Sequence, residues 1–147
     1  MVMKNSILSV LIASLVIGVN SGGVRADDKT TRERFDDRAH QVNATARKPG
    51  MMPIALQGVS TETGLPLERV ESMHKRYADA GAAGVLIACV LADETKKDPE
   101  IFLKKRIDGK TWEAIAAEQR VPITKLKDRL DRFERVLVRE EGRDKRR

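Results

Sequence analysis

"GKTWEAIAAEQRVPITKL" (Gly109–Leu126) is the stretch on which the rest of the chain turns. Gly109 offers a left-handed stop to the helix before it, because glycine takes positive φ without steric cost. Thr111 is a good N-cap for a helix opening at Trp112, since its hydroxyl can take a first-turn backbone N–H. Ile115-Ala116, Val121 and Leu126 then place apolar groups on either side of a break at Gln119-Arg120 and Pro122. The pattern predicts a short amphipathic helix, a tight turn and a second helix.

The same period continues outward in both directions. Downstream, Ile123, Leu126, Leu130, Phe133 and Leu137 recur at spacings of 3, 4, 3 and 4. This heptad-like seam is long enough to pack within one chain and short for a free-standing coiled coil. Upstream, "DPEIFLKKRIDGK" has Asp98 as N-cap, Pro99 at the first helical position and Gly109 as stop. Before it, "GAAGVLIACVLADETKK" carries no polar residue from Ala82 to Ala92. A helix apolar on every side is one surrounded by protein, and this one is too short to cross a bilayer. Another helix opens near Pro66, with Leu67, Val70, His74 and Tyr77 on one face, and a shorter turn is expected around Ile54 to Thr61. The expected fold is all-α, a small bundle of four to five helices.

An internal correspondence refines that expectation. "VSTETGLPLERV" (Val59–Val70) lies over "IAAEQRVPITKL" (Ile115–Leu126) at an offset of 56 residues. Glu62/Glu118 and Pro66/Pro122 are identical, and Val59/Ile115, Leu65/Val121, Leu67/Ile123 and Val70/Leu126 are apolar in both. Two helix-turn-helix units around the central apolar helix are expected on this basis.

The ends of the chain read differently. Lys4, the apolar run Ile7–Val19 and the small-x-small triplet Val24-Arg25-Ala26 have the order of a secretory signal, with cleavage between Ala26 and Asp27. The apolar run falls short of the roughly 20 residues of a spanning helix, so a cleaved signal (residues 1–26) is favoured over an anchor. Residues 27–50 hold many charges and one aromatic, and read as a disordered polar arm. The helical domain is expected over 51–141, and a basic disordered tail over 142–147. The 147-residue chain has a formal charge of +6. Residues 120–147 contribute eleven basic and six acidic side chains, so the excess belongs to the C-terminal helix and tail.

Residues for chemistry are sparse. The single cysteine, Cys89, allows no intramolecular disulfide and sits on the apolar helix, where burial blunts a thiol. "LIAC" (Leu86–Cys89) spells a lipobox but lies far from any N-terminal signal. Glu71 and His74 are one helical turn apart, as in half of a di-iron site, but the second half is missing and His40 lies in the arm. No Gly-x-Ser-x-Gly elbow or phosphate loop is present. Asn43-Ala44-Thr45 is a glycosylation sequon. Trp112, the sole tryptophan, reads as a core anchor. No catalytic residue, metal site or cofactor is expected.

The Gly109–Leu126 region resembles the helix-turn-helix of bacterial regulators, in which an Ile-Ala pair precedes a turn and a second amphipathic helix. Gln119-Arg120 stands where that pattern has Leu-Gly, and Pro122 replaces its Ser or Thr cap. The resemblance implies a recognition helix over Ile123 to Arg132, with Thr124, Lys125 and Lys127 toward DNA. Asp128 and Asp131 would face phosphates there, and the export signal also weighs against nucleic acid. A second resemblance, over about residues 59–137, is to exported bacterial helical proteins of unknown function with a Gly-Lys-x-Trp-x-x-Ile-Ala element, here Gly109-Lys110-Thr111-Trp112 and Ile115-Ala116. It implies a periplasmic or secreted helical protein and no activity.

Together these readings point to an exported, non-catalytic interaction module. Its partner, another protein or an anionic envelope component, would meet Arg139, Arg143, Lys145, Arg146 and Arg147. A DNA-binding protein with an uncleaved or misread N-terminal segment is the first alternative, and an enzyme with a sparse site the second.

Overall fold

The computed structural model describes the backbone of residues 26–146 and the side chains of residues 34–146. The expected signal segment, residues 1–25, and the terminal Arg147 lie outside the described residues, and of the cleavage pair Ala26 and Asp27 only the backbone is described. Among the described residues the chain is all-helical. It runs α1 (Ala26–Ala46), α2 (Met51–Thr63), α3 (Leu67–Arg76), a 3-10 turn (Ala78–Ala80), α4 (Gly81–Thr95), α5 (Pro99–Ile107), α6 (Trp112–Glu118) and α7 (Ile123–Asp144). The all-α class agrees with the sequence, but the count is seven α-helices where four to five were expected.

The helix α4 is the axis of the bundle. Every residue from Gly81 to Leu91 is buried, and α1, α2, α3, α5 and α7 all pack on it. Its unbroken apolar surface requires neighbours on every side. Trp112 is 1% exposed and Phe102, Leu103 and Ile115 are fully covered, so α5 and α6 close one end of the core. The seam of α7 is buried at Leu126, Leu130, Phe133 and Leu137, with Ile123 half-buried. On α3 the buried residues are Val70 and Met73, with Tyr77 buried just after the helix, while His74 is only half-buried, lying to one side of the apolar stripe.

The largest departure is in residues 27–50. In place of a disordered arm, α1 runs to Ala46 and buries Phe35, Ala39, Val42 and Ala46, spaced one helical turn apart. The stripe is narrow and half of it is alanine, so its apolar content looks too small to offset ordering. Polar ties supply the difference. The N-cap position of α4 is Ala80, which has no capping side chain. Asn43 reaches across from α1 instead: its Oδ1 accepts from Ala83 N at 2.8 Å and its Nδ2 donates to the Ala80 carbonyl at 2.9 Å. One orphan first-turn N–H of α4 is thereby satisfied in trans. Gly81 has φ +70, and a Cβ there would fall 2.3 Å from Asn43 Oδ1, so the contact needs glycine. The sequon expectation at Asn43 is corrected by the same contact, because the nitrogen that would carry a glycan is buried and bonded.

The C-terminus also differs from expectation. The helix α7 continues through Gly142 to Asp144, so residues 142–144 are helical and Lys145 and Arg146 form a turn after it. Pro66 and Pro122 both sit at the N-cap of the helix that follows, with φ/ψ of −56/138 and −60/132. Two residues before each, Gly64 and Arg120 both take the left-handed conformation, at φ +71 and +56. Arg120 therefore makes the turn without the glycine that the resembling pattern uses, at a modest steric cost.

Candidate functional site

Charged side chains on the outer surface of α7 divide into two groups. Four acids, Asp131, Glu134, Glu140 and Glu141, are engaged by other parts of the chain or by the end of α7 itself, while Asp128 and Asp144 are exposed and make no ion pair among the described residues. Asp131 accepts from Arg38 of α1 at 3.1 Å, and Glu134 accepts from the same guanidinium. Glu141 accepts from Lys48 at 2.9 Å and pairs with Lys145 at 3.0 Å, and these two ammonium groups hold its carboxyl below the ordinary range. Glu140 pairs with Arg143 at 3.1 Å. Arg129 donates to the Glu62 carbonyl at 2.6 Å, and Arg132 lies 3.6 Å from the Glu62 carboxylate. Apart from the pairs at the last turn, these are contacts between helices and not within α7.

What is left facing outward includes three arginines together with Asp128 and Asp144. Arg135, Arg139 and Arg146 are exposed and make no ion pair among the described residues. At helical spacing Arg135 and Arg139 share the side opposite the buried seam, and Arg146 follows in the turn after α7. Val138, an exposed apolar residue at 56%, lines a shallow surface groove with Glu134, Arg135 and Arg139. Of the residues expected to meet an anionic partner, Arg139 and Arg146 are thus open. Arg143 and Lys145 are exposed but engaged with acids, and Arg147 lies outside the described residues. Arg135 and Val138 join the patch; composition flagged the helix but not which of its arginines the acids leave open.

The residues implied by a DNA-binding role are less uniformly placed. Thr124 and Lys127 are exposed at the first turn of α7. Lys125 is held by Glu94 of α4 at 2.6 Å. Lys127 faces a groove of about 520 Å³ between α1 and α7, with Phe35 and Ile123 as its apolar wall and Arg34 and Arg38 beside them. Asp128 is exposed on the same helix, as the sequence anticipated.

A second polar cluster joins α1, α5 and α6. Asp36 Oδ1 accepts from Trp112 N at 3.1 Å, and its Oδ2 accepts from Arg106 at 3.1 Å. In return Glu113 Oε1 accepts from the Asp36 backbone N–H at 3.2 Å. The Arg106 guanidinium stands 5.8 Å from the Trp112 ring centroid, within cation–π range. Glu113 is 5% exposed, and its other oxygen, Oε2, is buried without a hydrogen-bond partner. Burial, with the Asp36 charge adding to it, pushes the Glu113 carboxyl up to about 7. Sequence reading missed this cluster: an acid in the first turn of a helix is ordinary, and nothing in the order of residues shows that Asp36 meets it.

Cys89 borders a cleft of about 250 Å³ between α3, α4 and the start of α5, rimmed by Arg69, Lys96, Lys97 and Arg129. Burial pushes its thiol up to about 12, so it stays protonated and a poor nucleophile. Burial and the nearby Arg47 charge lower His74, which favours a neutral imidazole. Among the described residues no three His, Cys, Asp or Glu side chains stand close enough to share a metal ion, and no helix is long and apolar enough to cross a membrane. Comparison of the chain with protein-family models, curated proteins and solved structures returns no match. What the surface does must be read from its own residues.

Proposed function

We propose that the chain is an exported, non-catalytic interaction module that docks an anionic partner, a protein face or an envelope component, on the outward end of α7. The observation that carries this reading is the sorting of charge on that helix. Asp131, Glu134, Glu140 and Glu141 are engaged by Arg38, Lys48 or bases of the last turn, whereas Arg135, Arg139 and Arg146 are exposed and unpaired among the described residues, with Val138 beside them and Asp128 and Asp144 as the open acids. Exposed cations around one apolar residue suit an acidic surface, with attraction that salt should screen. The test is binding of the full chain to polyglutamate and to anionic vesicles at rising salt. The triple variant Arg135→Ala, Arg139→Ala, Arg146→Ala should lose most of the binding, and Thr124→Ala with Lys127→Ala should keep it. Equal losses in both variants would reduce the proposal to general charge attraction.

DNA binding stands as the second reading, favoured by one observation: Arg120 takes the left-handed conformation, so the turn between α6 and α7 is made without a glycine. It requires the N-terminal segment to be retained or misread. On that reading Lys125→Ala with Lys127→Ala should abolish a preference for one duplex sequence over random duplex.

We further infer that α2–α3 and α6–α7 are two copies of one helix-turn-helix unit arranged about α4. The offset of 56 residues relates Gly64 to Arg120 and Pro66 to Pro122 in matching conformations. It also relates fully buried Val59 to Ile115 and buried Val70 to Leu126. The likeness supports a common packing role.

A further inference from the structure

The joint between α1 and α6 holds a carboxyl in a setting suited to its neutral form. Glu113 is buried, one of its oxygens takes the Asp36 N–H, and the other has no partner. An ionised carboxylate presents only acceptors and needs donors at both oxygens, while a neutral acid carries a proton it can itself donate. The neighbouring acceptor is Asp36, whose own carboxylate is fixed by Trp112 N and Arg106. Ionising Glu113 therefore sets a second negative charge beside Asp36 and leaves a buried oxygen bare, both unfavourable in a water-poor site.

The other charges around α6 do not offset this. On α5, Arg106 is committed to Asp36, and Lys105 is held by Glu118 at 2.6 Å. Lys110, on the connection before α6, is held by Glu118 as well. On α7, Lys127 faces the groove beside Phe35, and Asp131 and Glu134 are tied to Arg38. On α1 itself, Asp37 and His40 are exposed and Arg34 lies on the groove rim. Asp36 is the neighbour whose charge bears on Glu113, and it raises the carboxyl.

The same contacts hold α1 in place at this end. Toward its other end, Asn43 anchors it independently at the start of α4. We propose that the Asp36–Glu113 contact is a pH-sensitive latch: with Glu113 neutral the Arg34–Ala39 stretch of α1 is clamped to α6, and with Glu113 ionised that stretch loosens while the Asn43 anchor holds. Opening uncovers Phe35 and the groove it shares with Ile123, so the device controls access to an apolar surface beside the first turn of α7.

Trp112 reports on this directly, since its N–H is bonded to Asp36 and it is the only tryptophan. The experiment follows tryptophan emission and amide exchange of the full chain from about pH 5 to pH 9, with protection corrected for the intrinsic exchange rate. The expected result is a red shift and an at least roughly tenfold loss of protection over Arg34–Ala39, centred near the Glu113 transition, with protection at Asn43 unchanged. Glu113→Gln should remove the transition, and Asp36→Asn should move it to lower pH by about one unit by removing the adjacent charge. A wild-type chain without a transition overturns the proposal. So does a transition that persists in Glu113→Gln. If Glu113→Gln fails to fold, an unmoved midpoint in Asp36→Asn is equally fatal.

Discussion

Helices α4 and α1 are held in the bundle by opposite means. In α4 eleven consecutive residues are buried, from Gly81 to Leu91, and its position follows mainly from apolar surface. In α1 the buried apolar residues described are four, Phe35, Ala39, Val42 and Ala46. Its seat depends on addressed polar contacts: Asn43 to the start of α4, Asp36 to α6 and Arg106, Arg38 and Lys48 to α7. The difference teaches that one core can contain a helix fixed by quantity of burial and another fixed by the identity of a few partners. The first tolerates exchange among apolar residues, and the second does not tolerate exchange of its polar ones.

Substitutions in the two helices should separate these modes. Leu86→Ala opens a cavity in the middle of α4 and should cost about 2–5 kcal/mol in denaturant unfolding. Leu86→Met, which nearly conserves volume, should cost under about 1.5 kcal/mol. Asn43→Ala removes two buried hydrogen bonds and leaves Ala83 N and the Ala80 carbonyl unpaired, for about 2–4 kcal/mol. If Asn43→Ala proved as mild as an exposed substitution, the claim that α1 is held by addressed contacts would fail.

A smaller effect carries a pH signature. The folded-state value of Glu113 is raised to about 7 from an ordinary 4.5, so the folded chain holds a proton that the unfolded chain has released. The stability this group confers is full below about pH 4.5 and is lost as pH rises through 7. Glu113→Gln, which never ionises, should be the more stable protein at pH 8 by about 1–3 kcal/mol and lose that advantage toward pH 5. Thermal unfolding at the two pH values checks it, and a constant difference would contradict the assignment. Arg38→Ala, which removes a half-exposed pair of ionic contacts to Asp131 and Glu134, should cost only about 0.5–1 kcal/mol.

How much of the molecule could be read in the sequence follows the same division. The α4 core helix, the Asp98 and Thr111 caps, the α7 seam and the burial of Trp112 all leave local marks in composition or period. Asp98 accepts from Glu100 N and Thr111 from Ala114 N, as their positions require. The helix α1 leaves almost none, because its stripe is thin and its strongest contacts join residues 37 to 96 positions apart. A sequon at Asn43 was visible, but its real use depends on Ala80 lacking a cap. The basic patch was half legible: the excess charge of residues 120–147 pointed to α7, but which arginines stay open depends on where Arg38 of α1 and Lys48 of the connection after it fall beside α7.

The proposed export stands at the centre of this account, and the location of the chain in the cell tests it most directly. The measurement is cell fractionation with intact-mass determination of the protein in each fraction. The account predicts a species outside the cytoplasm whose mass corresponds to a chain beginning at Asp27. A cytoplasmic species with Met1 intact would contradict it and turn attention to DNA.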